Sequence, residues 1–357
     1  MCTTSDDCSL LGTCRAGVCA CRPPWVGAHC ERIAFLPARA SGLNLFASNT
    51  STWGGDAVFG SDGLWHMVYS EFEHHCGVNA WLQNSVVKHA TAPTFAGPYT
   101  PRNRVFNLYS HEPTLAHDPI RNVSVMFFLH SAVRPTIGAT CTCVDGNSTS
   151  DCPPDWDANG RNESVPLLTH MSWTRDFREW SAPVAIPQLD PYSDTAFQGT
   201  FLPNGTLVAT TRWQMIVASD WNDTSTYREV ARFKANAYGE GAHLWHDAPT
   251  DTFHLISHNG DIRGTTCGKH WFSRDFVRWQ SFGCAYEAKG VAFEGGRTVD
   301  FGRRERPHPI HDAAGTLVAL STAVTAMPTT CVGRPHCLYR WPDASYTLVQ
   351  STATHTQ

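Results

Sequence analysis

The sequence predicts an all-β protein: a five-bladed β-propeller behind a small disulfide-rich N-terminal module. Three observations predict it. Short runs of alternating apolar and polar residues recur along the chain, five segments repeat one opening pattern, and six of the fourteen cysteines fall within the first thirty residues. With 42 % hydrophobic residues, 13 Trp and 18 Phe, the 357-residue chain has ample material for a core.

The first unit is residues 1–31. It is poor in apolar side chains and rich in Cys and Gly, so bridges must hold it where a hydrophobic core cannot. Its cysteines are Cys2, Cys8, Cys14, Cys19, Cys21 and Cys30. A zinc site is the rival reading, but no cysteine pair has a partner pair at finger spacing. The spacing alone leaves many pairings open. Six N-x-[ST] sequons, at Asn49, Asn122, Asn147, Asn162, Asn204 and Asn222, agree with an oxidising, secreted location. A chain opening on Met1-Cys2 is then expected to lack its targeting segment. No run of about 20 apolar residues offers a membrane span. A net charge of −5 without a long basic run gives no footing for nucleic acid.

Residues 32–357 form the second unit. LWHMVYS (64–70), VSVMFFLH (123–130), TLVATTRW (206–213), TFHLISH (252–258) and TLVALSTAV (316–324) alternate as strands do, with β-branched and aromatic residues. Gly, Asn, Asp and Pro punctuate them as hairpin turns. No long amphipathic helix is evident. A polar segment and a turn precede each strand, opening at WGGDAVF (53–59), SHEPTLAHD (110–118), SDTAFQGTF (193–201), GEGAHLWHD (239–247) and RERPHPIHD (304–312). Two units carry a second signature, WTRDFREW (173–180) and FSRDFVRW (272–279). Five such units make five propeller blades. The first strand of each blade lines the channel, so the polar openings converge on one pocket.

The openings supply carboxylates: Asp56, Glu112 and Glu240, with Asp194 near the start of the third. A carboxylate pair in an aromatic-rich pocket suits glycosidic hydrolysis, in which one acid protonates the leaving oxygen and an ionised partner activates water or attacks the sugar. Trp53, Trp213 and Trp245 are candidates for stacking on sugar rings, though such residues serve equally in blade packing. His111, Gln198 and His243 are candidate hydroxyl partners. Arg303 and Arg306 suit an acidic sugar, or an internal ion-pair network. No residue is assigned as a metal ligand. There is no G-x-S-x-G and no Gly-rich phosphate loop.

The first thirty residues, ending CRPPWVGAHC, resemble an epidermal-growth-factor-like module. That resemblance implies bridges 2–14, 8–19 and 21–30, and a role in partner contact or as a structural cap. Residues 40–350 resemble, at the level of motifs, the propeller glycosidases of glycoside hydrolase family 43. Asp56 stands seven residues before Gly63, as the family's base stands before its turn glycine. Glu240-Gly241-Ala242-His243-Leu244-Trp245 matches the family's E-G-P-H-[LI]-[YF] acid motif in all but the proline. The resemblance implies Asp56 as base, Glu240 as acid and inversion at the anomeric carbon. No cofactor is required; a structural calcium ion in the central channel is allowed. In blade three the family's acid-tuning aspartate is replaced by Ala196, with Asp194 or Glu112 as substitutes. The alternative is a carbohydrate-binding or adhesion propeller without catalysis. The module together with W-G-G and R-E-R-P-H also resembles secreted propellers of algae and protists. Among the later cysteines, Cys267 is expected to pair with Cys284 and Cys331 with Cys337; Cys76, Cys141, Cys143 and Cys152 are left for two further bridges.

Overall fold

A computed structural model describes residues 1–39, 50–78, 81–131, 168–187, 189, 197–211, 214–232, 240–258, 267–326 and 345–353, together with the backbone of 143–144 and 147–148. The chain is all-β, and its one α-helix among the described residues is the single turn Trp81–Asn84. Five antiparallel sheets follow one another. Blade one is Ser51–Phe59, Trp65–Phe72, Ser85–Ala92 and Thr100–Phe106, and blade two is Ser110–Asp118, Val123–His130, Leu168–Thr174 and Val184–Ala185. Blade three is Gln198–Phe201, Leu207–Thr210, Gln214–Ala218 and Tyr227–Arg232. Blade four is Glu240–Asp247, Thr252–His258, Cys267–Ser273 and Gln280–Glu287. Blade five has Phe301–His311, Leu317–Ala326 and Ser345–Ser351.

Among the described residues the fifth blade has three strands where the other four blades have four. Its outer edge is covered by the segment that leaves the N-terminal module: Phe35 bridges Thr352, the Leu36 N–H donates to the Ser351 carbonyl, and Gln350 Nε2 donates to the Leu36 carbonyl. The two ends of the chain thus meet on one sheet and satisfy an edge that would otherwise stand open.

The innermost strands close a ring. Ser51–Phe59 contacts Ser110–Asp118, which contacts Gln198–Phe201, then Glu240–Asp247, then Phe301–His311, and so back to Ser51–Phe59. One residue with positive φ sits in each turn after these strands: Gly63, Asn122, Gly205, Asp251 and Gly315. Gly, Asn and Asp are the types that reach this region most cheaply, so the punctuation seen in the sequence has a backbone cause.

Apolar side chains fill the seams between blades. Val68 and Val87 of blade one meet Met126 and Phe128 of blade two, and Phe127 and Met171 of blade two meet Phe197 and Ile216 of blade three. Val208 and Met215 then meet Leu244 and Leu255, Ile256 meets Leu317 and Leu320, and Ile310 and Val318 meet Met67 and Tyr69. The paired W-T-R-D-F and F-S-R-D-F signatures are turns. Asp176 accepts from the N–H groups of Arg178 and Glu179, Asp275 from those of Val277 and Arg278, and Phe177 and Phe276 are buried beneath them.

The N-terminal module carries the bridges Cys2–Cys14, Cys8–Cys19 and Cys21–Cys30, and Cys267–Cys284 ties the third and fourth strands of blade four. Cys76 is also disulfide-bonded. Cys141, Cys152, Cys331 and Cys337 lie outside the described residues, as does the side chain of Cys143. The module packs on blade four. Trp25 stacks on Trp245 with ring centroids 6.4 Å apart and lies 4.7 Å from His270; Arg22 pairs with Asp247 at 2.6 Å, and Arg274 with Asp6 at 2.6 Å. Of these contacts the buried indole carries most of the stabilisation, because the ion pairs are partly exposed and screened. Trp25→Ala is expected to lower stability by about 3–5 kcal/mol, read as an earlier midpoint in urea unfolding. An unchanged midpoint would show that the module is only tethered.

Candidate functional site

Four of the five innermost strands are irregular at one level. The pairing register shifts between Trp53 and Asp56 in blade one, between His111 and Thr114 in blade two, between Glu240 and His243 in blade four, and between Glu305 and His308 in blade five. Each bulge contains a residue with positive φ: Gly54, Glu112, Gly241 and Arg306. Glycine adopts that conformation without strain. Glu112 and Arg306 do not, and the prolines that follow them narrow the choice further. Strain of about 1–3 kcal/mol at each is characteristic of functional positions.

Two residues after each such residue comes a side chain on the inner strand: Asp56, Thr114, His243 and His308. Blade three supplies Gln198, which precedes turn Gly205 by seven positions, as Asp56 precedes Gly63 and His308 precedes Gly315. All five are buried. Hydrogen bonds join neighbouring blades at this level. The Leu115 N–H donates to Asp56 Oδ2 at 2.8 Å, and Thr114 Oγ1 donates to the Phe197 carbonyl at 2.8 Å. His243 Nδ1 lies 3.2 Å from His308 Nδ1, which lies 3.7 Å from Asp56 Oδ2. The belt has one opening, where the buried Oε1 of Gln198 has no hydrogen-bond partner among the described residues.

Electrostatics at this level favour an ionised Asp56. Burial works against its charge, but His308 and the Leu115 N–H outweigh burial and hold it below the usual carboxylate range. Burial pushes the His243 imidazole down to about 3, against the pull of Asp56, so it is neutral at physiological pH.

Beside the belt, Glu112 Oε1 meets Arg306 Nε at 2.6 Å and His111 Nε2 at 3.5 Å, and the Glu112 N–H donates to Ser70 Oγ. The Arg306 N–H donates to His258 Nδ1 at 3.4 Å, and His258 Nε2 faces Glu305 Oε2 at 3.7 Å. Glu240 is described by its backbone; it pairs across the strand with His258 and precedes His243 by three residues. A Cβ at Gly241 would stand 2.7 Å from Arg306 Cδ and 3.0 Å from His258 Nδ1. The glycine after Glu240 is therefore demanded by close approach as well as by φ. Asp56, Glu112, Gln198, His243, Arg306 and the backbone of Glu240 thus come from five blades to one end of the channel.

The candidate aromatic, arginine and histidine side chains are engaged by their neighbours. Trp53 is packed among Phe72, Val78 and Ala323, and Trp245 is held by Trp25, His254 and His311. Both serve packing in this structure. Arg306 is engaged by Glu112, and Arg303 approaches Glu305 at 3.9 Å, which is the internal network of the two arginine readings. His111 hydrogen-bonds Ser85 Oγ and stacks on Trp81. Asp194 and Trp213 lie outside the described residues. Sequence reasoning missed Thr114, His258, Glu305 and above all His308. The spacing of His308 ahead of its turn glycine, equal to that of Asp56, was the available signal.

Comparisons with known proteins agree with this architecture. Residues 4–32 match the model of the Teneurin-like EGF domain. A search of curated protein sequences gives no match. The catalytic domain of the GH62 α-L-arabinofuranosidase of Coprinopsis cinerea superposes with a TM-score of 0.55 at 9 % identity, covering 91 % of this chain and 96 % of that one. A family 117 glycoside hydrolase of the marine bacterium Zobellia galactanivorans gives 0.53 at 9 % identity, covering 92 % of each. The fold is that of the propeller glycosidases. An exo-β-1,3-galactanase of Phanerochaete chrysosporium also shares it, with a TM-score of 0.51 at 10 % identity over 89 % of this chain and 64 % of that one.

The calcium ion allowed by the family resemblance can be weighed against the residues of the propeller. Asp56, His243 and His308 offer donor atoms that all lie within 4.8 Å of one another. Calcium takes about 6–8 oxygen ligands, and two of these three donors are imidazole nitrogens. The set does not fit calcium. The other thiol-containing groups of this kind, around Cys2 and Cys267, are built from disulfide sulfurs and cannot ligate.

Proposed function

We propose that this protein is a glycoside hydrolase acting on O-glycosyl bonds of an oligo- or polysaccharide in an oxidising, extracellular setting. The observation that carries the reading is the convergence at one end of the channel. A buried Asp56 is held ionised there, and Glu240 opens blade four just upstream of His243. In this reading Glu240 protonates the leaving oxygen and Asp56 activates water on the opposite face of the sugar. Inversion of the anomeric carbon is the expected outcome, and it requires the two carboxyl groups to stand about 6.5–9.5 Å apart. Glu112, fixed by Arg306, orients a substrate hydroxyl or holds the pocket wall. The fold shared with the family 62 and family 117 hydrolases supports the reaction class.

The disulfide-held module and the exposed sequon residues Asn122, Asn204 and Asn222 support the extracellular setting. Among the described residues no helix is long and apolar enough to cross a membrane.

One observation favours the second reading, a carbohydrate-binding propeller without catalysis: in blade three Ala196 stands where the resembled family places a third acid to tune the proton donor, and the inner strand beside it presents the neutral Gln198. The two readings part on a panel of aryl glycosides and algal oligosaccharides, followed by NMR of the first-formed anomer. Turnover with an inverted product supports the hydrolase. Saturable binding without turnover across the panel supports the binding protein and removes the catalytic assignment.

A further inference from the structure

Three donors from three blades meet on the innermost strands and, apart from the Leu115 N–H that donates to Asp56 Oδ2, face one another. His243 and His308 turn the same ring atom, Nδ1, toward each other at 3.2 Å, and Asp56 Oδ2 stands 3.7 Å from the second. One proton can serve the two nitrogens only if one ring donates and the other accepts. A metal ion satisfies both at once. Zinc binds imidazole nitrogen at about 2.0–2.1 Å with tetrahedral angles, which sets neighbouring ligand atoms about 3.3 Å apart. The imidazole pair is near that spacing without rearrangement, and a rotation of Asp56 about its side-chain bonds brings the carboxylate closer.

A second observation is independent of the cluster. Gln198 occupies the matching position in blade three, is only 3 % exposed, and keeps a buried Oε1 without a hydrogen-bond partner among the described residues. A buried amide oxygen left unmatched costs about 1–3 kcal/mol, and such an atom points to a ligand that completes it. A cation, directly or through a bound water, does so.

We propose that Asp56, His243 and His308 form a binding site for a divalent transition-metal ion of the zinc class, in place of the calcium ion that the fold resemblance suggests. The ion ties blades one, four and five at the centre of the ring, on the seam that the circular closure leaves between the chain's two ends. Nitrogen donors select it: imidazole suits zinc and its first-row neighbours, whereas carboxylate, carbonyl and water suit calcium. The neighbouring histidine pairs do not compete for this role. His66 with His89, and His254 with His270, lack a carboxylate in a cluster with the two rings.

The proposal does not depend on hydrolysis: an ion on Asp56 Oδ2 leaves Oδ1 for the water-activating role proposed above, and a metal could hold the ring of a binding protein equally well. The full chain, purified without a polyhistidine tag and stripped with EDTA, is titrated calorimetrically with Zn²⁺ and separately with Ca²⁺. Zinc is expected to bind one equivalent at least about 100-fold more tightly than calcium, following the donor preference. His308→Ala and His243→Ala are each expected to abolish that equivalent, with His254→Ala as the control that keeps it. Because loss of an axial side chain can unfold the ring, Co²⁺ loaded into the unaltered protein provides a second reading. Visible bands of a four- or five-coordinate nitrogen–oxygen site, removed by added zinc, are expected. Tighter binding of calcium, or no axial equivalent of zinc with no cobalt bands, overturns the proposal. Either result leaves the turnover and anomer measurements untouched, so failure here is distinguishable from failure of the hydrolase reading.

Discussion

Glu240→Gln is expected to lower turnover about 10²–10⁴-fold on substrates with an alkoxide leaving group, the range that general acid catalysis supplies. The loss should be much smaller on a dinitrophenyl glycoside, whose leaving group departs without a proton. A residue that merely shapes the pocket would depress both substrates alike, so the ratio of the two losses tests the role and not only the importance of the residue. Gln is the informative substitution because it preserves size at a position where Gly241 already lies against Arg306 and His258. Steady-state kinetics on the two substrates, with a melting curve to confirm folding, make the measurement. Equal losses on both, or none, remove Glu240 from the proton-donor role. Asp56→Asn should behave differently: its loss is independent of leaving group, because activation of water is needed in every case.

The parts of this architecture that were legible in sequence are those fixed by local geometry. Each blade's first hairpin needs a residue with positive φ, and Gly63, Gly205 and Gly315 declare it, with Asn122 and Asp251 as quieter versions. Cysteine spacing in the first thirty residues likewise matched a bridge pattern that the structure contains. The bulges were only half legible. Gly54-Gly55 and Gly241 look like backbone irregularities, but Glu112-Pro113 and Arg306-Pro307 place charged residues in the same conformation, and nothing in their local sequence marks them as equivalent. Their partnership becomes visible only when blade two and blade five face each other across the channel.

The axial cluster was hidden for a related reason. Asp56, His243 and His308 are far apart in sequence and belong to three repeats of unequal length. Which inner-strand positions share a level depends on each strand's offset from its own turn, not on motif identity. Trp53 and Trp245 show the opposite difficulty. An aromatic residue at a blade opening suits either a sugar ring or a neighbouring blade, and the outcome turned on surfaces the sequence does not place. Trp245 was claimed by Trp25, a residue of another module more than two hundred positions away.

That same docking surface sets the second large effect, an acid-sensitive fold. His254 and His270 are buried and His311 half-buried around Trp245, and His254 Nδ1 lies 3.1 Å from His270 Nε2. Burial pushes His254 down to about 3, with Arg22, His311 and His246 adding to the effect. Burial takes His311 to about 4, against the pull of Asp312, Asp247 and Asp56, and His270 well below the ordinary imidazole value. All three therefore stay neutral in the folded chain at pH values where the unfolded chain, with imidazoles near about 6.5, takes up protons. The unfolded state then binds more protons than the folded one, so stability falls as pH drops below about 6.5 and goes on falling to the folded values near 3–4. At pH 5 the cost is about 2 kcal/mol for each of His254 and His311, with His270 adding in the same direction. That is a large part of the whole stability of a typical domain, about 5–15 kcal/mol. Thermal melts at pH 7.5 and pH 5 should show a fall in midpoint of about 5 °C or more, and replacement of His254 by Gln should make the dependence shallower. Melting that is flat across this interval would mean that these rings reach water or a counter-charge in solution, and that the module's grip on blade four is looser than the stacked Trp25–Trp245 pair implies.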